Sequence, residues 1–456
     1  MRSAAPEGIP KILSRRLRLL LGMLMGIAFF WVLVGATSVP FYFESSTILY
    51  KFGVNRHLLR SGQVAGLIAG CLLLLQIILS ARLKFLDRIF GLGQLFRLHR
   101  FSGIGIAFIA IMHPVLVFIP EDRIFIPFQW RYWPEFIGFF LLLLIITTVI
   151  SSHWRLRLRF PFHRWWPVHR WGAVLTFAVF WIHILSVSET FAQKIPKLLA
   201  ICAIGLCGFL LLWVRTRPLR LKRRSFMISA AEPVGEDALR LKIISKKEKM
   251  PTYLPGQFNF ITLFSPHISK EEHPFSIAAT PTRPSVMEFI VRTTGDWTGQ
   301  LKNTQPGDRV LIHGPFGLFN HLQFSANKEI IMIAGGIGIT PLLSMLRYMA
   351  DCDDQRKIKL IWSNRSRKHI ILPQEFMRLA TQLKAFRIVH VLTRDPDFTG
   401  EKGRLDRLKL KRLLSDCSTS SAVFICGPDQ MMRELKHIVF SLGFPKHMIF
   451  AERFSL

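Results

Sequence analysis

Six apolar segments fill the first half of the chain and limit what it can become. They run roughly over 19–43, 61–81, 101–120, 136–152, 171–188 and 198–214. Each is about long enough to cross the ~30 Å hydrocarbon core of a bilayer as a helix. In lipid every backbone polar group must be satisfied internally, so the first half is expected to be a membrane all-α six-helix bundle. The first segment is not read as a cleaved signal peptide: its apolar run is too long and no small-residue cleavage site follows it.

Charge supports the same reading. The chain carries 60 Lys and Arg against 29 Asp and Glu, a net +31, with 50% hydrophobic residues. A surplus of this kind can mark a nucleic-acid binder, but in so hydrophobic a chain a membrane comes first. With the N-terminus inside, stretches 2–18, 82–100, 155–170 and 215–224 carry 21 Lys and Arg, against 7 in the outer loops 51–60, 123–131 and 194–197. That bias puts both termini in the cytoplasm, in the inner membrane if the cell is bacterial, and accounts for most of the excess charge without a nucleic acid. The six cysteines, Cys71, Cys202, Cys207, Cys352, Cys417 and Cys426, form no C-x-x-C pair, which argues against zinc, iron–sulfur and disulfide frameworks.

Four histidines lie in or at the mouth of apolar segments: His99 and His113 on the third, His169 and His183 on the fifth. Both pairs are 14 residues apart. Fourteen residues turn ~1400°, close to four full turns, and rise ~21 Å, so each pair shares one helix face. The third and fifth helices run the same way, which sets His99 level with His169 and His113 level with His183. Imidazole in hydrocarbon is costly unless paired, and two facing histidines can ligate a haem iron from both sides. Stacked in this way, two b haems span most of a bilayer. The alternative is four histidines in interhelical hydrogen bonds. Gly103, Gly105 and Gly172 leave room for a porphyrin or for close helix packing. His153 and His163 are assigned to a basic surface loop.

After Arg224 the pattern changes. Short strand-like stretches at 226–230, 239–245, 258–263, 289–293 and 309–312, broken by Pro and Gly, read as a small antiparallel β-barrel. From 329 onward apolar strands alternate with helical patterns, which indicates a parallel α/β sheet. The boundaries expected are 1–218 for the membrane domain, 219–322 for the barrel and 323–456 for the α/β domain. Gly335-Gly336-Ile337-Gly338-Ile339-Thr340-Pro341 follows a strand and opens a helix, with Thr340 a candidate cap and Pro341 suited to the first turn. Such a loop lets backbone amides approach a dinucleotide pyrophosphate. Past the next strand, Arg365 and Arg367 stand where an NAD-specific site would often place an acid. They suit a 2′-phosphate, hence NADPH over NADH, or are simply solvated.

With these residues in hand, nearly the whole chain resembles the ferric reductase and NADPH oxidase superfamily of transmembrane flavocytochromes b. The paired histidines match its membrane layout. Pro255-Gly256-Gln257-Phe258 resembles the strand entering its flavin site, and His273-Pro274-Phe275-Ser276 its flavin-binding motif. Gly295-Asp296-Trp297-Thr298 is similar to a segment of the NADPH oxidase branch. Gly314-Pro315-Phe316-Gly317, the Gly335–Pro341 run and Cys426-Gly427-Pro428 also match. The resemblance implies a ferredoxin reductase-like soluble half. It implies Phe275 against the isoalloxazine of FAD and Ser276 at its N5 edge. Gly295, Thr298 and Arg292 would then serve the pyrophosphate, and Cys426, Gly427 and Pro428 would lie near the nicotinamide. Phe454 takes the place of a terminal aromatic over the flavin, although Ser455 and Leu456 follow it. No EF-hand loop precedes Leu19.

The resemblance further implies that NAD(P)H reduces FAD on the cytoplasmic side. Electrons then pass through the inner haem (His99, His169) and the outer haem (His113, His183) to a one-electron acceptor outside. The G-D-W-T similarity favours O2, giving superoxide, with Arg56 and His57 as candidate cations. Ferric iron is the alternative, and a periplasmic redox partner a third. Val117 stands where some oxidases carry another outer histidine. Lipid is the expected surroundings in every case.

Overall fold

The computed structural model describes residues 10, 12–43, 52–119, 127–155, 157–187, 189–222, 226–245, 249–324 and 329–452. The chain forms two compact units, one holding Leu19–Phe90 and Gln94–Arg217, the other consisting mainly of the chain from Pro218 onward.

The first unit is helical: α1 (Arg15–Tyr42), α2 (Gly53–Ser80), the short α3 (Lys84–Phe90), α4 (Leu92–Phe118), α5 (Trp133–His153), α6 (Phe162–Val187), the short α7 (Glu189–Ala192) and α8 (Lys194–Lys222). Among the described residues six of these are long and apolar enough to cross a membrane, namely α1, α2, α4, α5, α6 and α8. They are apolar on every side. Phe30, Trp31, Phe108, Leu206 and Leu212 are exposed on their outer faces, as suits lipid rather than water. Inside, Leu73, Ile77, Ile106, Leu141, Ile145 and Phe180 pack into one cluster.

Two helices start well ahead of their apolar runs. α4 begins at Leu92 and α6 at Phe162, so their first turns contain Arg97, Arg100, Arg164 and Arg170. Hydropathy reads such residues as loop, yet long basic side chains can extend from a helix end to the headgroups. His153 and His163 are accordingly corrected from loop to helix: the last residue of α5 and the second of α6.

The second unit begins with an antiparallel sheet of β1 (Phe226–Pro233), β2 (Ala238–Ser245), β3 (Phe258–Phe264), β4 (Glu272–Ser276), β5 (Val286–Arg292) and β6 (Arg309–Phe316), in the order β4-β3-β6-β1-β2-β5. Its two end strands meet just past β4, where Ile277 bridges Phe289, so the sheet closes on itself around Leu241, Ile243, Ile261 and Phe289. The short α9 (Asp296–Gln300) follows β5. Sequence reading missed β4 because Pro274 and charged residues interrupt its alternation; at a sheet end a missing N–H is tolerated.

A second sheet follows, all parallel, in the order β10-β9-β8-β7-β11-β12. Its elements are β7 (Ile330–Gly335), α10 (Ile339–Asp351), β8 (Ile358–Asn364), α11 (Pro373–Gln382), β9 (Phe386–Leu392), β10 (Glu401–Lys402), α12 (Arg407–Leu413), β11 (Ala422–Cys426), α13 (Asp429–Ser441) and β12 (Ile449–Glu452). Helices cover both faces, which explains why β7 and β11 are buried at every position. The reversal of strand order beside β7 puts the C-terminal ends of β7, β8 and β11 at one crevice, where doubly wound sheets take their ligands.

Phe424 of β11 is fully buried and its ring meets Phe319, Phe324 and Phe450. Phe424→Ala is expected to lower the unfolding temperature of this region by roughly 10 °C, the effect of losing a core aromatic. Differential scanning fluorimetry of the detergent-solubilised protein checks it.

Candidate functional site

In the membrane unit the four histidines meet in two pairs. The His99 and His169 ring centroids are 6.3 Å apart with planes at 76°; those of His113 and His183 are 6.4 Å apart at 85°. This is the level pairing that the 14-residue spacings require. Two imidazoles sharing one first-row metal at about 2 Å per bond, with ring nitrogens roughly 1.1 Å from each ring centre, have centroids about 6.3 Å apart. The spacing therefore fits a shared metal and is too long for a direct hydrogen bond between rings.

Two of the four rings are held from behind. His113 Nδ1 donates to the Gly62 carbonyl at 2.7 Å, and His169 Nδ1 lies 3.2 Å from Ser152 Oγ. With Nδ1 engaged, Nε2 is the nitrogen left for a partner. Trp165 stacks on His169 with centroids 4.8 Å apart. Two glycines not singled out from the sequence make room for these rings. A Cβ at Gly66 would lie 2.9 Å from His113 Cε1, and one at Gly138 would lie 2.7 Å from His183 Cε1, whereas Gly103 and Gly105 have nothing within 4 Å. Nothing in the local sequence marks Gly66 or Gly138, because their partners sit on other helices. A cavity of about 360 Å³ opens beside the outer pair, lined by His113, His183, Gly66, Gly138, Phe180 and Glu135. Glu135 Oε2 is buried there without a hydrogen-bond partner among the described residues.

In the second unit β4 carries His273, Pro274, Phe275 and Ser276 along the edge of the barrel. Trp297 of α9 backs them. Its ring stacks on His273 at 4.1 Å and on Phe275 at 6.1 Å, and its Nε1 donates to the Ser269 carbonyl at 2.6 Å. Burial holds the His273 imidazole below its usual pKa, against the pull of Glu271, whose carboxylate lies 3.0 Å away. Gly295 and Thr298 bond one another, the Gly295 amide donating to Thr298 Oγ1 at 3.0 Å, and so shape the α9 turn. Arg292, the last residue of β5, pairs with Asp237 at 2.9 Å, and its guanidinium lies 3.0 Å from where a Cβ at Gly336 would be.

That last contact joins the barrel to the glycine-rich loop. A Cβ at Gly338 would fall 2.3 Å from the Cys426 carbonyl oxygen and 2.7 Å from the Gly427 amide, so only glycine lets the loop press against Cys426-Gly427-Pro428. Trp362 of β8 donates from Nε1 to the Gly336 carbonyl at 3.0 Å, a clamp that the sequence did not single out. The N-cap of α10 is Gly338, not Thr340. Thr340 lies inside the first turn beside Pro341 and donates back to the Ile337 carbonyl at 3.1 Å. Cys426 is fully buried and its thiol donates to the Glu452 carbonyl at 3.5 Å. Burial pushes that thiol well above its usual pKa, with Glu452 adding to the effect. Arg365 is exposed just past β8, while Arg367 is paired with Asp395 at 3.1 Å. Phe454 lies outside the described residues; β12, which leads to it, ends at Glu452 opposite Cys426.

A helical unit with paired histidines, a barrel edge with a stacked His-Pro-Phe-Ser motif and a glycine-rich parallel sheet define a membrane-bound nicotinamide–flavin reductase. The comparisons name its parts. A profile for the ferric reductase like transmembrane component matches residues 65–181, one for an FAD-binding domain 223–320, and one for an oxidoreductase NAD-binding domain 332–437. The chain thus belongs to the ferric reductase and NADPH oxidase-like flavocytochromes. Among the described residues it has six helices of membrane-crossing length, followed by FAD-binding and NAD-binding domains of the oxidoreductase type.

Among individual relatives, the glycine betaine monooxygenase reductase subunit of Chromohalobacter salexigens is 28% identical over 215 residues, 44% of this chain and 56% of that protein. Sulfhydrogenase 1 subunit gamma of Pyrococcus furiosus is 30% identical over 202 residues, 44% of this chain and 67% of that one. Of solved structures, an Amycolatopsis cytochrome P450 reductase aligns with TM-score 0.45 and 22% identity, covering 51% of this chain and 69% of the other. The chain spans little more than half the length of the first of these relatives.

Because Trp297 supports both His273 and Phe275, Trp297→Ala should unseat the flavin motif and weaken FAD binding about tenfold or more. Flavin released on denaturation, measured per chain after gel filtration, checks this.

Proposed function

We propose that the protein carries electrons from cytoplasmic NAD(P)H, through FAD and two b haems, across the membrane to a one-electron acceptor on the outer face, with O2 giving superoxide as the leading acceptor. The observation that carries the reading is the pair of ring spacings, 6.3 and 6.4 Å, at two levels of one helical unit. Among the described residues no third His, Cys, Asp or Glu joins either pair. A metal held there needs its other positions filled by something besides protein, as the four nitrogens of a porphyrin do.

In this reading His99 with His169 holds the inner haem and His113 with His183 the outer one. FAD, when bound, converts the two-electron donor into one-electron steps, and the haems supply reversible one-electron chemistry. The protein's own part is orientation. The Gly62 carbonyl and Ser152 hydroxyl fix two of the four imidazoles, while Gly66 and Gly138 keep the space that the outer pair needs. Phe275 and Ser276 serve the flavin ring, and Arg292 balances the charge of a pyrophosphate beside Gly336. Cys426 stands near the nicotinamide as a neutral thiol. Both termini face the cytoplasm, as the loop cations direct.

Were His113 and His183 both to ligate a haem iron, they would leave the acceptor no open position on the metal. Arg56 and His57, in the first turn of α2, are the candidate cations for an anionic product. One observation favours ferric iron instead: the buried Glu135 carboxylate in the outer cavity repels superoxide and attracts a cation.

Pyridine haemochrome analysis should find two b haems per chain. His113→Ala and Gly138→Val should each lose the outer one while FAD is still reduced by NAD(P)H. One haem or none in folded wild type would sink the reading. Stopped-flow reoxidation with oxygen and with ferric chelates then decides the acceptor. Dismutase-sensitive cytochrome c reduction supports O2, and fast chelate reduction without superoxide moves the assignment to ferric reductase.

For the donor we propose NADPH. Arg365 and Arg367 lie past the C-terminal end of β8, on the same sheet edge as the glycine-rich loop. Replacing both with Ala should reduce the NADPH-over-NADH ratio of kcat/KM by about 10-fold or more, since each charged hydrogen bond contributes ~1.5–3 kcal/mol. A wild type that prefers NADH would overturn the choice.

A further inference from the structure

Helix α10 does more than open at the glycine-rich loop. Ser344, Arg347 and Asp351 stand three and four residues apart and so form one stripe along it. Each member of that stripe fastens to the barrel. Ser344 Oγ donates to the Ala279 carbonyl at 2.6 Å. Arg347 Nη1 donates to the Ala278 carbonyl at 2.9 Å and to Glu288 of β5 at 2.8 Å. Asp351 accepts from Thr282 and, at 3.2 Å, from Arg283. Arg347 also grips Glu375 of α11 with Nε at 2.6 Å and Nη2 at 2.8 Å. Arg347, Glu288 and Glu375 are all nearly buried, at 13%, 12% and 14% side-chain exposure.

The location of these anchors gives the stripe its meaning. Ala278 and Ala279 come two and three residues after Ser276 of the flavin motif, and the Ala278 amide donates to the Glu288 carbonyl at 2.8 Å. Ser344 follows Pro341 of the nucleotide loop by less than one turn. The apolar contacts across this boundary, Ala278 and Ile290 against the cluster around α10, hold the surfaces together without fixing their register. A buried guanidinium with its hydrogen bonds spread over three elements does fix register, because sliding would strand buried charge.

We propose that Arg347 is a positioning residue that sets the approach of the dihydronicotinamide to the flavin, by locking the nucleotide-loop helix to the strand end that carries the flavin motif. The step it serves is the transfer of a hydride from C4 of the dihydronicotinamide to N5 of FAD. That C–H bond breaks, the N–H bond forms, the nicotinamide is oxidised and the flavin reduced. The proposal rests on the NAD(P)H–FAD half of the function above and is independent of the haems and the acceptor.

The test uses the full, FAD-loaded chain in detergent under anaerobic conditions, with NADPH as donor. It measures single-turnover flavin reduction and the long-wavelength charge-transfer absorbance of the stacked rings. Arg347→Lys keeps the charge but loses the fork; Glu288→Gln weakens only the link to the barrel; Glu375→Gln weakens only the link within the α/β region. Arg347→Lys and Glu288→Gln should slow hydride transfer at saturating NADPH about tenfold or more and diminish the charge-transfer band, with Kd for NADPH within about twofold. Glu375→Gln should leave both readouts near wild type. If Arg347→Lys fails to fold, Glu288→Gln alone decides. Wild-type rates and a full band in Glu288→Gln overturn the proposal, as does a loss in Glu375→Gln equal to that in Glu288→Gln, which would make the cluster merely structural. A wild type whose flavin NADPH does not reduce overturns the donor reading along with it.

Discussion

An imidazole cannot be left alone in hydrocarbon, and the membrane unit is arranged around that fact. Four of them stand in or at the ends of its apolar helices, and the chain answers by pairing them across α4 and α6 at two levels. The pairing sets demands on the other helices. α2 must present a bare backbone at Gly66 and a carbonyl at Gly62, and α5 must present a bare backbone at Gly138, or His113 and His183 could not sit where they do. At the His99–His169 level the support comes from side chains, the Ser152 hydroxyl of α5 behind His169 and, from α6 itself, the Trp165 indole stacked on it. Thus helices without a functional histidine of their own are shaped by the histidines of their neighbours.

The second unit solves a different problem, the meeting of two motifs from two sheets. The flavin motif lies on a barrel edge, and the nucleotide loop lies at the end of β7. They converge because Gly336 leaves room for Arg292 and Gly338 leaves room for the Cys426 carbonyl. Trp297 behind one motif and Trp362 behind the other keep each in shape. On the loop side glycines leave room for a guanidinium and a backbone carbonyl, and on both sides a large indole lies one layer back.

Much of this was legible in the amino-acid order. The helix spans, the antiparallel-then-parallel succession and the level of the histidine pairs follow from local periodicity, which a chain cannot hide. What escaped depends on contacts between residues far apart in sequence. Gly66 and Gly138 look like any membrane glycine until the helices are assembled. β4 was missed because an end strand needs no apolar alternation, although its four motif residues were recognised. Thr340 was expected to cap α10 because its residue type favours that position, but Gly338 holds it, the tight contact with Cys426 having fixed where the helix begins. The boundaries of α4 and α6 were set too late because hydropathy discounts arginines that a helix end readily carries.

The sulfur of Cys426 has a consequence for the lifetime of the protein. Thiolates are the form that oxidants attack, and exposure decides which cysteines they reach. This thiol is kept protonated by complete burial and by a carboxylate neighbour, with its hydrogen committed to a backbone carbonyl. It is therefore the cysteine least open to oxidative wear, although it stands closest to the nucleotide loop. Its burial keeps a modifying group away from the backbone contact between Gly338 and the Cys426 carbonyl.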